Sequence, residues 1–292
     1  MQLVQTCAEV RAWLATERRA ERRVGFVPTL GALHAGHLSL VGVCRQAADR
    51  VVLSVFVNPT QFGPGEDFSR YPRDLERDLR LAEDAGVDVV FAPTVEEMYP
   101  FGRAEVTVDP GPLATVFEGR LRPTHFRGVA TVVTKLLALV APDVAVFGSK
   151  DAQQVVVVRQ VVRDLLLPVQ LLVGPTVRES DGLAFSSRNV YLSIQERVAA
   201  TVLHRALVQA GDGIRFGVRD PQVVESRLRA ELATEPLGTV DYAAMVDAER
   251  LEPLLTIEGR VLLLVAVRFG ATRLLDNLCL RVHGSDVQEE LP

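Results

Sequence analysis

The chain has 292 residues, 48% apolar and 24% charged, enough for a substantial core and two domains. Its formal charge of -5 speaks against broad attraction to nucleic acid, and no apolar run approaches the length that crosses a bilayer. Three sparse cysteines, Cys7, Cys44 and Cys279, form no metal-ligand pattern and suit a reducing compartment, and the N-terminus lacks a basic-then-apolar signal, so a cytoplasmic location is expected.

In chain order, Arg18, Arg19, Arg22 and Arg23, interleaved with Glu17 and Glu21, read as a solvated helix face. Val-rich, nearly continuous apolar runs then predict strands at Val24–Val27, Val51–Val57, Val87–Ala92, Val144–Phe147 and Val169–Val173. Helical spacing predicts helices over about 36–48, 72–85, 127–140 and 151–165, the second stopped by Gly86. Strands alternating with helices imply an α/β fold: a doubly wound, Rossmann-like parallel sheet that binds ligands beyond the carboxyl ends of its strands. Between Gly111 and Gly128, prolines and glycines interrupt the rhythm, with a short helix expected near Leu113–Phe117. After Ser187 the character changes. Ser193 and Glu196 form a capping-box pattern opening a helix to about residue 210, and a second helix starts at Pro221. Strands follow at Thr239–Val246, Arg260–Val267 and Asp276–Val282, and the polar tail from Gly284 is expected to fray. The expected domains are therefore residues 1–176 and a smaller α+β domain, 177–292.

Four segments carry chemistry. In the first, Pro28 to His37, two histidines three positions apart sit where a strand runs into a helix. The first amides of a helix lack internal partners and form an anion site, and glycines at 31 and 36 let backbone approach a ligand. Histidines at such a turn also cap or pack. The second, Phe147 to Gln154, repeats the junction: Lys150 can neutralise phosphate, Asp151 can accept from a ribose or simply cap the helix, and Gln154 lies one turn on. The third, Val177 to Asn189, offers Ser186, Ser187 and Arg188, which fit a polyphosphate tail or equally a Ser-rich interdomain loop. The fourth, Phe56 to Gly63, presents Asn58 and Gln61 at a strand end, where turn chemistry is the plain alternative.

Together these segments closely resemble the pantothenate synthetase (pantoate–β-alanine ligase) family. The matching pieces are PTLGALHAGHLSLV, FVNPTQFGPGEDFSRYPR, HFRGVATVVTKL, GSKDAQQ and SSRN. The HxGH pair alone is shared with a broad nucleotidyltransferase-like superfamily that includes class I aminoacyl-tRNA synthetases; the NPTQFGPGEDFSRYPR block is far more specific. The resemblance implies an enzyme that joins pantoate to β-alanine through a pantoyl adenylate, releasing AMP and pyrophosphate. It implies ATP contacts at Leu30, Gly31, His34, Gly36, His37, Gly148, Lys150, Asp151, Val177, Ser186, Ser187 and Arg188, with His37 as catalytic acid and His34 and Lys150 on the phosphates. Gln61 would bind pantoate and β-alanine, and Gln154 pantoate. The family works with Mg²⁺ and ATP as a cytoplasmic homodimer; the residues do not reveal metal ligands, and no nucleic-acid or membrane partner is expected. The second domain would act as a lid over the adenylate.

This sequence departs from the family at Leu30, usually Met; at Ser149 and Ala152, usually Glu and Tyr; and at Phe185, usually Met or a small residue. Losing a negative charge at 149 and a ring at 152 bears on ATP affinity and leaves the reacting groups in place. The alternative reading is a nucleotidyltransferase of the same superfamily acting on a phosphorylated small molecule. Such an enzyme should carry basic residues in place of Gln61 and Gln154.

Overall fold

A computed structural model describes residues Met1–Pro292. The chain divides into two units, Met1–Gly148 with Val157–Gly174, and Ser149–Val156 with Pro175–Pro292.

The first unit holds a six-stranded sheet of β1 (Gln2–Val4), β2 (Val24–Thr29), β3 (Arg50–Val55), β4 (Val89–Phe91), β5 (Val144–Gly148) and β6 (Gln170–Gly174). The spatial order is β1-β4-β3-β2-β5-β6, and every pairing is parallel. From β2 the chain builds outward through β3 and β4 on one side. It later returns to add β5 and β6 on the other, so the order reverses between β2 and β5. The helices are α1 (Cys7–Arg19), α2 (Ala35–Ala47), α3 (Leu75–Asp84), α4 (Val95–Met98), α5 (Glu118–Leu121), α6 (His125–Val140) and α7 (Ala152–Asp164). Leu40, Val41 and Cys44 of α2 and Ala82 of α3 pack on Val27, Leu53, Val90 and Val146. Strand side chains alternate between faces, so Phe26, Val52, Val89 and Ala145 point the other way, and all four are fully buried. Cover on both faces explains why these strands read as unbroken apolar runs. Helix α7 begins in the second unit and ends in the first.

The second unit contains α8 (Ile194–Ala199), α9 (Val202–Arg215) and α10 (Pro221–Leu232), then β7 (Gly238–Asp247), β8 (Gly259–Phe269), β9 (Thr272–His283) and β10 (Asp286–Glu290). The strands form an antiparallel sheet ordered β10-β9-β8-β7. The helices bury Leu203, Leu207, Ile214, Val224 and Leu228 against Leu263, Val265, Val267 and Leu280 of the sheet.

Several local expectations need correction. The tail does not fray: β10 pairs residue by residue with β9 from Asp286 to Glu290. The capping box at Ser193 and Glu196 is present, but its helix ends at Ala199 and α9 begins separately at Val202. The short helix expected near Leu113–Phe117 is a single 3₁₀ turn at Gly111–Ala114, followed after Thr115–Phe117, with Phe117 at φ 45°, by α5. Nor is the early basic cluster one solvated helix face. Helix α1 stops at Arg19, Glu17 is buried and pairs with both Arg22 and Arg50, and Arg18 donates to the carbonyls of Val140 and Ala141.

Candidate active site

At the tip of β2 the chain makes a constrained turn. The Thr29 hydroxyl donates to Ser54 O (2.6 Å) and accepts from the Gly31 amide (3.1 Å). Gly31 has φ +82°, where a Cβ would meet Val55 at 2.9 Å and Asp78 at 3.0 Å, so glycine is required. Ala32 follows at φ 51°. The Asp78 carboxylate on α3, 2% exposed, accepts from the amides of Ala32 (2.8 Å) and Leu33 (2.7 Å). Burial holds this carboxyl above its ordinary range, and the two amides offset only part of that rise. Neighbouring Arg77 donates to Leu33 O (3.0 Å).

This turn delivers His34 as the N-cap of α2. Its Nδ1 accepts from the Gly36 amide (3.2 Å), which leaves the proton on Nε2. One of the first helix amides anticipated as anion donors, that of Gly36, is thus committed to His34. His34 and His37 lie one turn apart with ring centroids 4.1 Å from each other, tilted by 32°.

At the tip of β3, Gln61 is buried at the end of a tight turn, Pro59–Gln61, capped by Asn58. Asn58 Oδ1 accepts from Tyr99 Oη (2.8 Å), Thr60 Oγ1 (3.0 Å) and the Thr60 amide (3.3 Å). Its Nδ2 must therefore donate, and it does, to Gln61 Oε1 (3.3 Å) and Gly128 O (3.2 Å). Gln61 consequently has its side-chain carbonyl engaged by Asn58, which assigns its NH₂ group as the donor end. Its backbone carbonyl is held by Arg122 (3.3 Å) and lies 2.9 Å from His125 Nδ1, and Arg122 grips Glu66 through two nitrogens.

In the second unit, Lys150 lies in the turn Ser149–Asp151, two residues beyond the end of β5. Its ammonium is 3.2 Å from Asp151 Oδ1, so the two residues expected on phosphate and ribose pair with each other. Asp151 therefore precedes α7 and holds Lys150, and Gln154 is partly exposed on α7. Ser149 is buried with its hydroxyl 2.8 Å from that of Thr176, and Ala152 is also buried. The Val177–Asn189 segment folds back on itself: the Phe185 amide donates to Val177 O, and Arg178 bridges Ala184. Ser186 caps a turn over Ser187–Tyr191 and accepts from the Arg188 amide (3.2 Å). Asn189 pins the loop by donating to Glu179 (3.2 Å) and Ala184 O (3.1 Å).

The fold thus joins His34 to His37, Lys150 to Asp151, and Val177 to the Ser186–Arg188 turn. Leu30, Gly31, His34, Gly36, His37, Gln61 and Gly148 belong to the first unit; Lys150, Asp151, Gln154, Val177, Ser186, Ser187 and Arg188 belong to the second. Asp78, Tyr99, Arg122 and Asn277 escaped sequence reasoning. Only the buried polar partners they find in space reveal them.

A family model described as Pantoate-beta-alanine ligase matches residues 2–279. Among curated relatives, a pantothenate synthetase of Moorella thermoacetica is 53% identical over 97% of this chain and 100% of its own. One of Acetivibrio thermocellus is 50% identical over the same shares. The crystal structure of pantothenate synthetase from Thermus thermophilus superposes with a TM-score of 0.90 at 52% identity, covering 95% of this chain and 99% of that one. A pantoate-beta-alanine ligase from Francisella tularensis, complexed with beta-gamma ATP and beta-alanine, gives 0.76 at 31% identity, covering 95% and 97%.

Proposed function

This chain belongs to the pantoate–β-alanine ligase family and is an ATP-dependent ligase of pantoate and β-alanine, and we propose that His34, His37 and Lys150 bind the triphosphate during adenylate formation. The carrying observation is the tilted imidazole pair, ring centroids 4.1 Å apart, beyond the tip of β2 beside the reversal in strand order.

A carboxylate acylates poorly because its leaving group would be oxide. In the first half-reaction a pantoate carboxylate oxygen attacks the α-phosphorus. The bond to the β-phosphate oxygen breaks, and pyrophosphate leaves with that electron pair. Charge grows on the leaving and equatorial oxygens, where two imidazole N–H groups and an ammonium stabilise it. His37 serves as the acid. In the second half-reaction the neutral β-alanine amine attacks the acyl carbon, AMP leaves, and the amine proton is lost to solvent. Gln61 holds pantoate and β-alanine through its NH₂ end, and Gln154 holds pantoate. Leu30, Gly31, Gly36, Gly148, Asp151 and Val177 line the nucleotide, with Ser186, Ser187 and Arg188 on its outer phosphates. A phosphate chain competes with Asp151 for the Lys150 ammonium, which releases Asp151 toward the ribose.

Mg²⁺ is proposed from the family to accompany ATP, where it would offset the charge of the phosphates beside Lys150; no group of three or more His, Cys, Asp or Glu side chains is gathered in the chain. The second unit is proposed to close as a lid that keeps water from the adenylate. No helix is long and apolar enough to cross a membrane; a cytoplasmic homodimer is proposed from the family.

Pantoate-dependent exchange of labelled pyrophosphate into ATP, without β-alanine, tests this reading. Wild type should exchange, and His37→Ala or Lys150→Ala should each lose about 100-fold or more with the fold intact. Undiminished exchange in both variants refutes the assigned roles.

A further inference from the structure

We propose that Asp276 and Asn277, adjacent residues on β9, are positioning residues that anchor both nucleotide-binding segments of the second unit; this rests on the proposed ATP site. The two segments are the Ser149–Asp151 turn and the Val177–Asn189 loop.

Asn277 is 6% exposed. Its Nδ2 donates to two consecutive carbonyls, Ser149 O (2.9 Å) and Lys150 O (2.8 Å). An amide nitrogen carries two hydrogens, and both are used here. The backbone from which the Lys150 side chain springs is therefore tied to β9 at two successive points. The Ser149 hydroxyl adds a third tie, to Thr176.

Asp276, 3% exposed, takes Arg178 in a two-pronged ion pair, Nη1 to Oδ2 (2.6 Å) and Nη2 to Oδ1 (3.0 Å). The Asn277 amide also donates to Oδ1 (2.8 Å). Arg178 in turn donates to Gly182 O (3.1 Å), and so closes the loop that carries Ser186 to Arg188. Alternation along β9 sends the two side chains to opposite faces of the sheet. Two adjacent strand positions thus grip one segment each, from opposite faces. The segments are separated in sequence by more than 25 residues, yet their spacing is set by two neighbouring side chains. A planar guanidinium–carboxylate fork and a doubly donating amide are stiff, directional contacts, the kind that fixes a phosphate-binding group within a fraction of an ångström.

A merely structural role predicts loss of stability with all substrates affected alike. A positioning role predicts selective damage to the ATP step. The test measures melting temperature, pyrophosphate exchange, and KM for ATP, pantoate and β-alanine. Asn277→Ala should fold and lower the exchange rate about 100-fold, as expected for an ångström-scale misplacement. Asp276→Asn should raise KM for ATP about tenfold through the weakened Arg178 fork. KM for pantoate should stay within twofold in both. If Asn277→Ala does not fold, Asn277→Ser, which keeps one donor, stands in and should show an intermediate loss. Folded variants with wild-type exchange and ATP KM, or with all three KM values raised alike, overturn the positioning role. Absence of pantoate-dependent exchange in wild type would instead overturn the proposed ATP site itself.

Discussion

Asp78 illustrates how one buried carboxylate shapes a site it does not enter. It accepts from two consecutive amides, and one of them belongs to Ala32, held at φ 51°. A non-glycine residue at positive φ costs energy that its surroundings must offset. Asp78→Ala leaves both amides without their acceptor, and the loop loses its reason to hold that conformation. The expected cost is about 2–4 kcal/mol, read as a lower midpoint in urea. Because the same loop delivers His34 as the cap of α2, exchange activity should fall further than stability alone accounts for. A variant with an unchanged midpoint would show that the two hydrogen bonds contribute nothing net.

The fit of elements around Gln61 depends on a missing side chain. Helix α6 crosses the Pro59–Gln61 turn so closely that a Cβ at Gly128 would meet Thr60 O at 2.3 Å and Gln61 Cα at 2.7 Å. Both are backbone atoms, so neither can swing aside. Gly128→Ala must push helix and turn apart, at about 1–3 kcal/mol, and carry Gln61 with the turn. KM for pantoate should rise while KM for ATP holds; equal KM values in variant and wild type would argue against Gln61 as a pantoate ligand. Strands β2, β3, β4 and β5 were legible because burial on two faces writes itself as apolar runs rich in valine, whereas β6, only partly buried, was legible from its short apolar run alone. Strand β1 has one buried residue and β10 has none, so their own side chains carry no signal and only the partner strand defines them. The site divides similarly. The histidine pair, Lys150 and the paired serines are local patterns that a sequence displays. Asp78, Tyr99 and Asn277 act across separations of 41 to 128 residues, and nothing near them in the chain announces the partner.

For the whole molecule, the central question is whether the two units unfold as one. Their chain paths are interleaved, since α7 lies partly in each. Val155 and Val156 on one side of the division and Val157 and Val158 on the other are all at most 3% exposed. Unfolding either unit alone would have to cut a cooperative helix at its packed middle and wet the neighbouring valines. A single transition is therefore expected. The cysteines report on it directly. Cys44 lies fully buried in the first unit, with burial pushing its thiol up to about 12, and Cys279 is 2% exposed in the second. Cys7 is partly exposed, and burial followed by the adjoining Glu97 also raises its thiol, so it should react slowly in the native protein. In a urea series with thiol labelling read by mass spectrometry, Cys44 and Cys279 should become reactive at one shared midpoint. Midpoints separated by about 1 M urea or more, with Cys279 released first, would mean that the helix breaks at the division and that the second unit opens independently.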